Sequence, residues 1–181
     1  MPELHPKILA WRNARNYTAI GNLGEHIAFQ ILEDLGYQIL ATQDDLVGGV
    51  SNILEIPTRM NPEDFIVIAP DSRLLTVNAK AVASRSTSGR RKDGSLRRVH
   101  LSRGQGTVDY NTTRAELISP LDGETDGQII KIDLLLMEAQ IFDIMDDATH
   151  TPASDIIDIT SYAHEILDAT VGTVKPPSTI R

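Results

Sequence analysis

Apolar positions Ile20, Leu23, Ile27, Ile31 and Leu35 recur every three or four residues, and Ala28 and Leu32 widen the stripe, so the pattern predicts a helix over about Thr18–Leu35. Gly36 follows the last apolar position, where a left-handed C-terminal cap favours glycine, and "YQILAT" then leaves as a strand. Between 43 and 62 glycines and prolines break every period, which predicts an irregular connection with a short strand at "NILEI". "FIVIA" and "LLTVNA" are aliphatic and β-branched, and the Pro and Asp of "PDSR" between them predict a hairpin. Residues 107–118 are read as a helix ending near "LISP", with Asn111, Thr112 and Thr113 against it. "QIIKIDLLLMEAQIFDIM", broken at "MEAQ", predicts a second hairpin, and "TSYAHEILDATV" a terminal helix. "KPPSTIR" reads as a flexible tail from about 174. With no internal repeat and no linker, residues 1–181 are expected to form a single α/β domain.

Composition narrows the chemistry. A chain of 181 residues, 41% hydrophobic and 23% charged, fits one core. No apolar run approaches the roughly 20 residues that span a bilayer, and "MPELHPKILAWRNARN" lacks the basic-then-apolar order of a secretion signal. The expectation is a cytoplasmic protein with no membrane partner. The absence of cysteine excludes disulfides and thiolate zinc sites, so any metal is held by oxygen or imidazole. Five scattered histidines without an HxxxH or HxH pair speak against an imidazole cage.

The net charge of −8 is unevenly spread. Seven of the 17 basic residues fall in the 20 positions Ser84–Arg103: Arg85, Arg90, Arg91, Lys92, Arg97, Arg98 and Arg103, against the single acid Asp93. This basic arm, at about 84–104, is too polar to bury and is expected to project, with "KDGS" as a loop tip. Like charges this dense repel unless neutralised, so phosphate contact is expected of them, beside the plainer reading of a solvated loop. The region 122–168 is acidic instead; its "DGETDG" lacks the spacing of a calcium loop and reads as a turn.

One corner of the first hairpin concentrates the candidate chemistry. In "EDFIVIAPDSRLLTVNAKA", residues 63–81, Asp64 stands at the mouth of one strand, and Asn78 and Lys80 share one face of the next. A turn of odd length places Asp64 opposite Asn78 or Lys80, about 5 Å apart at Cβ, near enough to share a metal ion and its water. Gly21 and Gly24 in the helix suggest close packing against a sheet or ligand. The plain alternatives are a solvated ion pair for Asp64 and Lys80, and an exposed helix face for Glu25.

These residues resemble the restriction-endonuclease-like, or PD-(D/E)xK, phosphodiesterases, which include Holliday-junction resolvases and many repair and restriction nucleases. The resemblance covers residues 18–82 well and 128–145 loosely. In that family an acid leads one strand, a second acid and a lysine separated by one residue end the next, and a preceding helix often carries a glutamate. Here the matches are Asp64, the "NAK" of Asn78 to Lys80, and Glu25 in "GNLGEHIAFQILEDLGY". The resemblance implies a central mixed β-sheet flanked by helices, and a metal-dependent endonuclease hydrolysing DNA phosphodiesters. It assigns Mg²⁺ or Mn²⁺ to Asp64, the Asn78 side chain and the Ala79 carbonyl, water activation to Lys80, and a metal-bound water or second ion to Glu25. The arm would contact DNA backbone phosphates. Pairing into a homodimer, which such nucleases often use to cut two strands, is also implied.

Asn78 departs from the pattern, since the family has Glu or Asp there. An amide oxygen ligates Mg²⁺ without formal charge, so Glu25 or Glu63 must compensate, or the chain is a catalytically inactive nuclease fold that binds nucleic acid or a partner protein. A glutamine-to-tyrosine signature of some members is also unmatched, because Gln105 and Tyr110 are five apart rather than four. A third reading is an acidic interaction protein whose C-terminal half presents aspartates to a basic partner.

Overall fold

A computed structural model describes residues 3–42, 64–98, 127–144 and 150–169. Helix α1 (Pro6–Asn13) and helix α2 (Tyr17–Asp34) precede strands β1 (Gln38–Thr42), β2 (Phe65–Ile68), β3 (Leu74–Val82), β4 (Gly127–Asp133), β5 (Glu138–Ile144), β6 (His150–Pro152) and β7 (Ile157–Asp158). Helix α3 (Thr160–Ala169) follows. The architecture is mixed α/β. Among the described residues seven strands form one sheet in the order β1-β2-β3-β4-β5-β6, with β7 also on β5. Among these strands every pairing is antiparallel except β3 with β4.

The expected helix and first hairpin are present. Helix α2 ends in a Schellman cap: Gly36 adopts φ +88°, its N–H donates to the Glu33 carbonyl at 3.0 Å, and Tyr37 N–H donates to Leu32 at 2.9 Å. The chain can therefore reverse directly into β1. Gly24 meets the expectation of close packing, because a Cβ there would sit 2.5 Å from the Ala81 Cβ, whereas one at Gly21 would meet nothing within 4 Å. Removing one side chain lets α2 lie against β3.

Alternate residues of β3 serve two faces. Leu75 and Val77 join Phe65, Val67, Ile130, Ile132 and the apolar stripe of α2 in the main core, which also takes Ile8 of α1 and Ala163, Ile166 and Leu167 of α3. Among the described residues all three helices thus belong to one face, a narrower arrangement than a sheet flanked on both sides. The opposite face carries Asn78, Lys80, Lys131, Asp133, Gln140 and Phe142, as the register Asn78↔Ile129, Lys80↔Lys131 and Lys131↔Gln140 requires.

The basic arm does not project where it is described. Leu96 is fully buried and Ser95 nearly so, and Leu96 N–H donates to the Gln140 side chain at 2.8 Å. Buried Lys131 donates to the carbonyls of Thr87 (2.8 Å) and Arg97 (2.6 Å), while buried Asp133 accepts from Ser88 Oγ and from Gly89 N–H (3.0 Å). Polar side chains on the sheet satisfy the arm's backbone, which is why so polar a segment lies down. The "KDGS" tip is a tight turn, with Gly94 at φ +87° and Arg91 N–H donating to Ser95 at 2.7 Å.

Other boundaries moved. The second hairpin turns at Leu134–Met137, not at "MEAQ", because Asp133 Oδ1 accepts the N–H groups of Leu135 and Leu136 and stops the strand there. Helix α1 and the short strands β6 and β7 have no expectation behind them. The strand at "NILEI", the helix at 107–118, Arg103 and the tail lie outside the described residues.

Candidate functional site

The hairpin register fixes the corner. Phe65 pairs with Val77 and Ile68 with Leu74, leaving five residues, 69–73, in the turn. This odd count sets Asp64 opposite Asn78. The turn is held by Ser72 N–H donating to Ala69 (2.8 Å), by Asp71 accepting the Arg73 N–H (3.1 Å), and by Ser72 at φ +72°.

Strand β2 begins only at Phe65, whereas β3 continues to Val82. Ladder alternation turns the N–H and C=O of Ala79 toward the edge where a longer β2 would have met them. The Asp64 carboxylate takes that place, its Oδ2 accepting Ala79 N–H at 2.8 Å. Asp64 N–H in turn donates to Asn78 Oδ1 at 3.3 Å. Two side chains thus complete the ladder, and the carboxylate lies in the plane of the sheet.

Groups from other elements close on it. The Glu25 side chain hydrogen-bonds to Asp64, and the Lys80 charge acts on the same carboxylate. Burial nevertheless holds the Asp64 pKa above the usual carboxylate range, against the opposing pull of the Ala79 N–H, Lys80 and Glu25. Two carboxyl groups in hydrogen-bond contact require a proton between them or a cation beside them. Lys80 is partly buried and hydrogen-bonds to none of the described residues. On the same helix, buried Asn22 Nδ2 and His26 Nδ1 find no partner among the described residues, and burial lowers the His26 pKa.

Glu25 of α2 and Asn78 and Ala79 of β3 thus each touch Asp64 at the start of β2, while Lys80, on the face away from the helices, acts on the carboxylate through its charge. The Ala79 carbonyl faces the same edge as the carboxylate. The Asn78 amide oxygen already accepts the Asp64 N–H.

Comparison with protein-family models, with curated proteins and with solved structures finds no match.

The basic residues are dispersed among roles. Arg90 makes a two-point ion pair with Glu138, Arg91 lies 6.0 Å from the Phe142 ring centroid, and Arg97 donates to the Ser88 carbonyl at 3.1 Å. Arg85, Lys92 and Arg98 are exposed. Lys131 and Asp133 escaped the reading of the sequence, although charges two apart inside "QIIKIDLLLM" were a signal. Burial lowers the Lys131 pKa to about 8, with Asp133 opposing and Arg97 and Arg91 assisting. His5, His164 and Asp168 also converge, with potential ligand atoms within 4.8 Å of one another. Linear spacing hid this group, because 159 residues separate its two histidines.

Proposed function

We propose that this protein is a metal-dependent phosphodiesterase acting on DNA, with a restriction-endonuclease-like arrangement of its sheet. The observation that carries the reading is the contact of Glu25 with buried Asp64, beside Lys80 and the inward edge of Ala79. Hard oxygen donors in this grouping suit Mg²⁺ or Mn²⁺. Asp64, Glu25 and the Ala79 carbonyl would hold the ion, with the neutral Asn78 oxygen as an auxiliary donor. When bound, such an ion lowers the pKa of its water and offsets charge on a phosphoryl oxygen. Asp64 is held rigidly for this work by its bond to Ala79 N–H. Lys80 contributes a compact positive charge to the attacked phosphate or orients the water. Asn22 Nδ2 leaves a further donor on the same helix.

Cleavage of plasmid or branched DNA with added Mg²⁺ or Mn²⁺ tests the proposal. Lys80→Ala and Asp64→Ala are expected to reduce it at least 100-fold, the range typical of lost acid–base or electrostatic groups. Undiminished cleavage by both variants would falsify the assignment. Metal binding should also release protons at acidic pH, where the ion competes with protonation of the Asp64 carboxyl, whose pKa burial raises. Calorimetry in buffers of different ionisation enthalpy reads that release directly.

The commitment of Asn78 Oδ1 to Asp64 N–H supports a second reading, a nuclease fold that binds DNA without cutting it. This reading predicts salt-sensitive DNA binding with no cleavage, and Mn²⁺ affinity that rises in Asn78→Glu. Titration calorimetry on both forms separates the two.

A further inference from the structure

We propose that His5, His164 and Asp168 form a binding site for a divalent transition-metal ion, of the Zn²⁺ class, that staples the first helix to the last. The site is remote in the chain from the acid–lysine corner and independent of the function proposed for it. His5 is the N-cap of α1, and His164 and Asp168 lie four apart on α3, so both project from one side of that helix. The His5 and His164 rings stand edge to face with centroids 5.3 Å apart, and His5 Nε2 lies 2.9 Å from Asp168 Oδ1. All three residues present a ligand atom within 4.8 Å of the other two. Tetrahedral ligands about 2 Å from an ion are separated by about 3.3 Å, so modest side-chain rotation closes the set. Two imidazoles and one carboxylate match Zn²⁺ and its neighbours rather than Mg²⁺, which prefers oxygen alone.

The surroundings favour a staple. Lys7 Nζ already donates to the Leu167 carbonyl at 2.6 Å, fixing α1 against the end of α3. Asp168 is largely exposed, which gives the ion access and leaves room for a water ligand. His164 hydrogen-bonds to none of the described residues, so its ring nitrogens need lose no bond to bind. His5 differs. Its Nδ1 accepts the Lys7 N–H at 3.2 Å, so the proton it shares with Asp168 sits on Nε2. To bind an ion at Nε2 the neutral ring moves its single proton from Nε2 to Nδ1, which can then no longer accept the Lys7 N–H, so the cap on α1 is lost. Loss of the cap weakens binding on the order of tenfold relative to a site that keeps its cap.

The test is a Zn²⁺ titration of the full chain followed by nitrogen-15 NMR of the histidine rings. His5 and His164 should shift together, saturating at one ion per chain, with the Lys7 amide moving in step as its acceptor is lost. Mg²⁺ at millimolar concentration should move none of them. His164→Ala is expected to weaken the response of His5 at least tenfold. Rings that stay unmoved, a response confined to one histidine, or an affinity unchanged in His164→Ala would each overturn the proposal. Because the wild-type chain supplies the primary readout, the outcome does not depend on the variant folding.

Discussion

Two corners of the sheet each hold an aspartate and a lysine, and the lysines are direct neighbours across β3 and β4, yet their partners differ in kind. Asp133 is fully buried and accepts from Ser88 Oγ, Gly89 N–H, Leu135 N–H and Leu136 N–H, while Lys131 donates to two carbonyls. Each charge is surrounded by the protein's own dipoles. Asp64 has one backbone donor and leans on another acid, and Lys80 donates to none of the described residues. Buried charges with complete hydrogen bonding hold a fold together, whereas charges left half-answered are available for a ligand. The same residue types thus take opposite roles according to how fully the backbone meets them.

The largest effect should come from breaking the closed corner. Asp133→Ala removes the acceptor from four donors at once and detaches the arm from the turn after β4. A loss of about 3–5 kcal/mol in unfolding free energy is expected, the cost typical of removing one member of a buried charged network. Urea denaturation measures it. A change below about 1 kcal/mol would show that the arm is held by Leu96 and not by these polar anchors.

This contrast also explains what the sequence disclosed. Local signals placed α2, its glycine cap, the first hairpin and α3, because each depends on period or turn chemistry within a few residues. The acid–lysine corner was legible for the same reason: hairpin register is set by turn length, and Gly24 next to Glu25 marked the helix face lying on β3. The arm was misjudged because its polarity is answered from residues about 35–45 positions away, which no local window includes. The pairing of His5 with Asp168 was hidden likewise, by a separation of 163 positions. Helix α1 is short, begins with Pro6, and has only Ile8 buried, so its pattern was too brief to register.

The open corner should behave in the opposite sense. Asp64→Asn keeps the shape while removing a carboxylate whose burial is unfavourable, so the folded state is expected to change by zero to about 2 kcal/mol, toward greater stability. Cleavage, if present, should be lost in the same variant. The pH dependence carries a definite sign. Because the folded pKa of Asp64 is raised above 3.8, its stabilising contribution is full below 3.8 and is lost as pH rises through the folded value. The variant lacks this dependence. Its advantage over the wild type should therefore open across that window and be absent below 3.8; an advantage that narrows with rising pH would contradict the burial argument.

The smallest effect concerns the exposed side chains of the arm. Arg90, Arg91 and Arg97 each have a partner on the protein, so substituting them mixes packing with charge. Arg85 and Lys92 are exposed, and stability should move by less than about 0.5 kcal/mol on Arg85→Ala or Lys92→Ala. If the arm meets phosphates, each substitution lowers the slope of log affinity against log salt by about 1, with little dependence on DNA sequence. The anchored arm makes this a sharp measurement, because Lys131 and Asp133 fix its backbone whether or not DNA is present. An unchanged slope in both variants would confine the arm to covering the sheet, and would leave the acid–lysine corner to account for any nucleic-acid affinity alone.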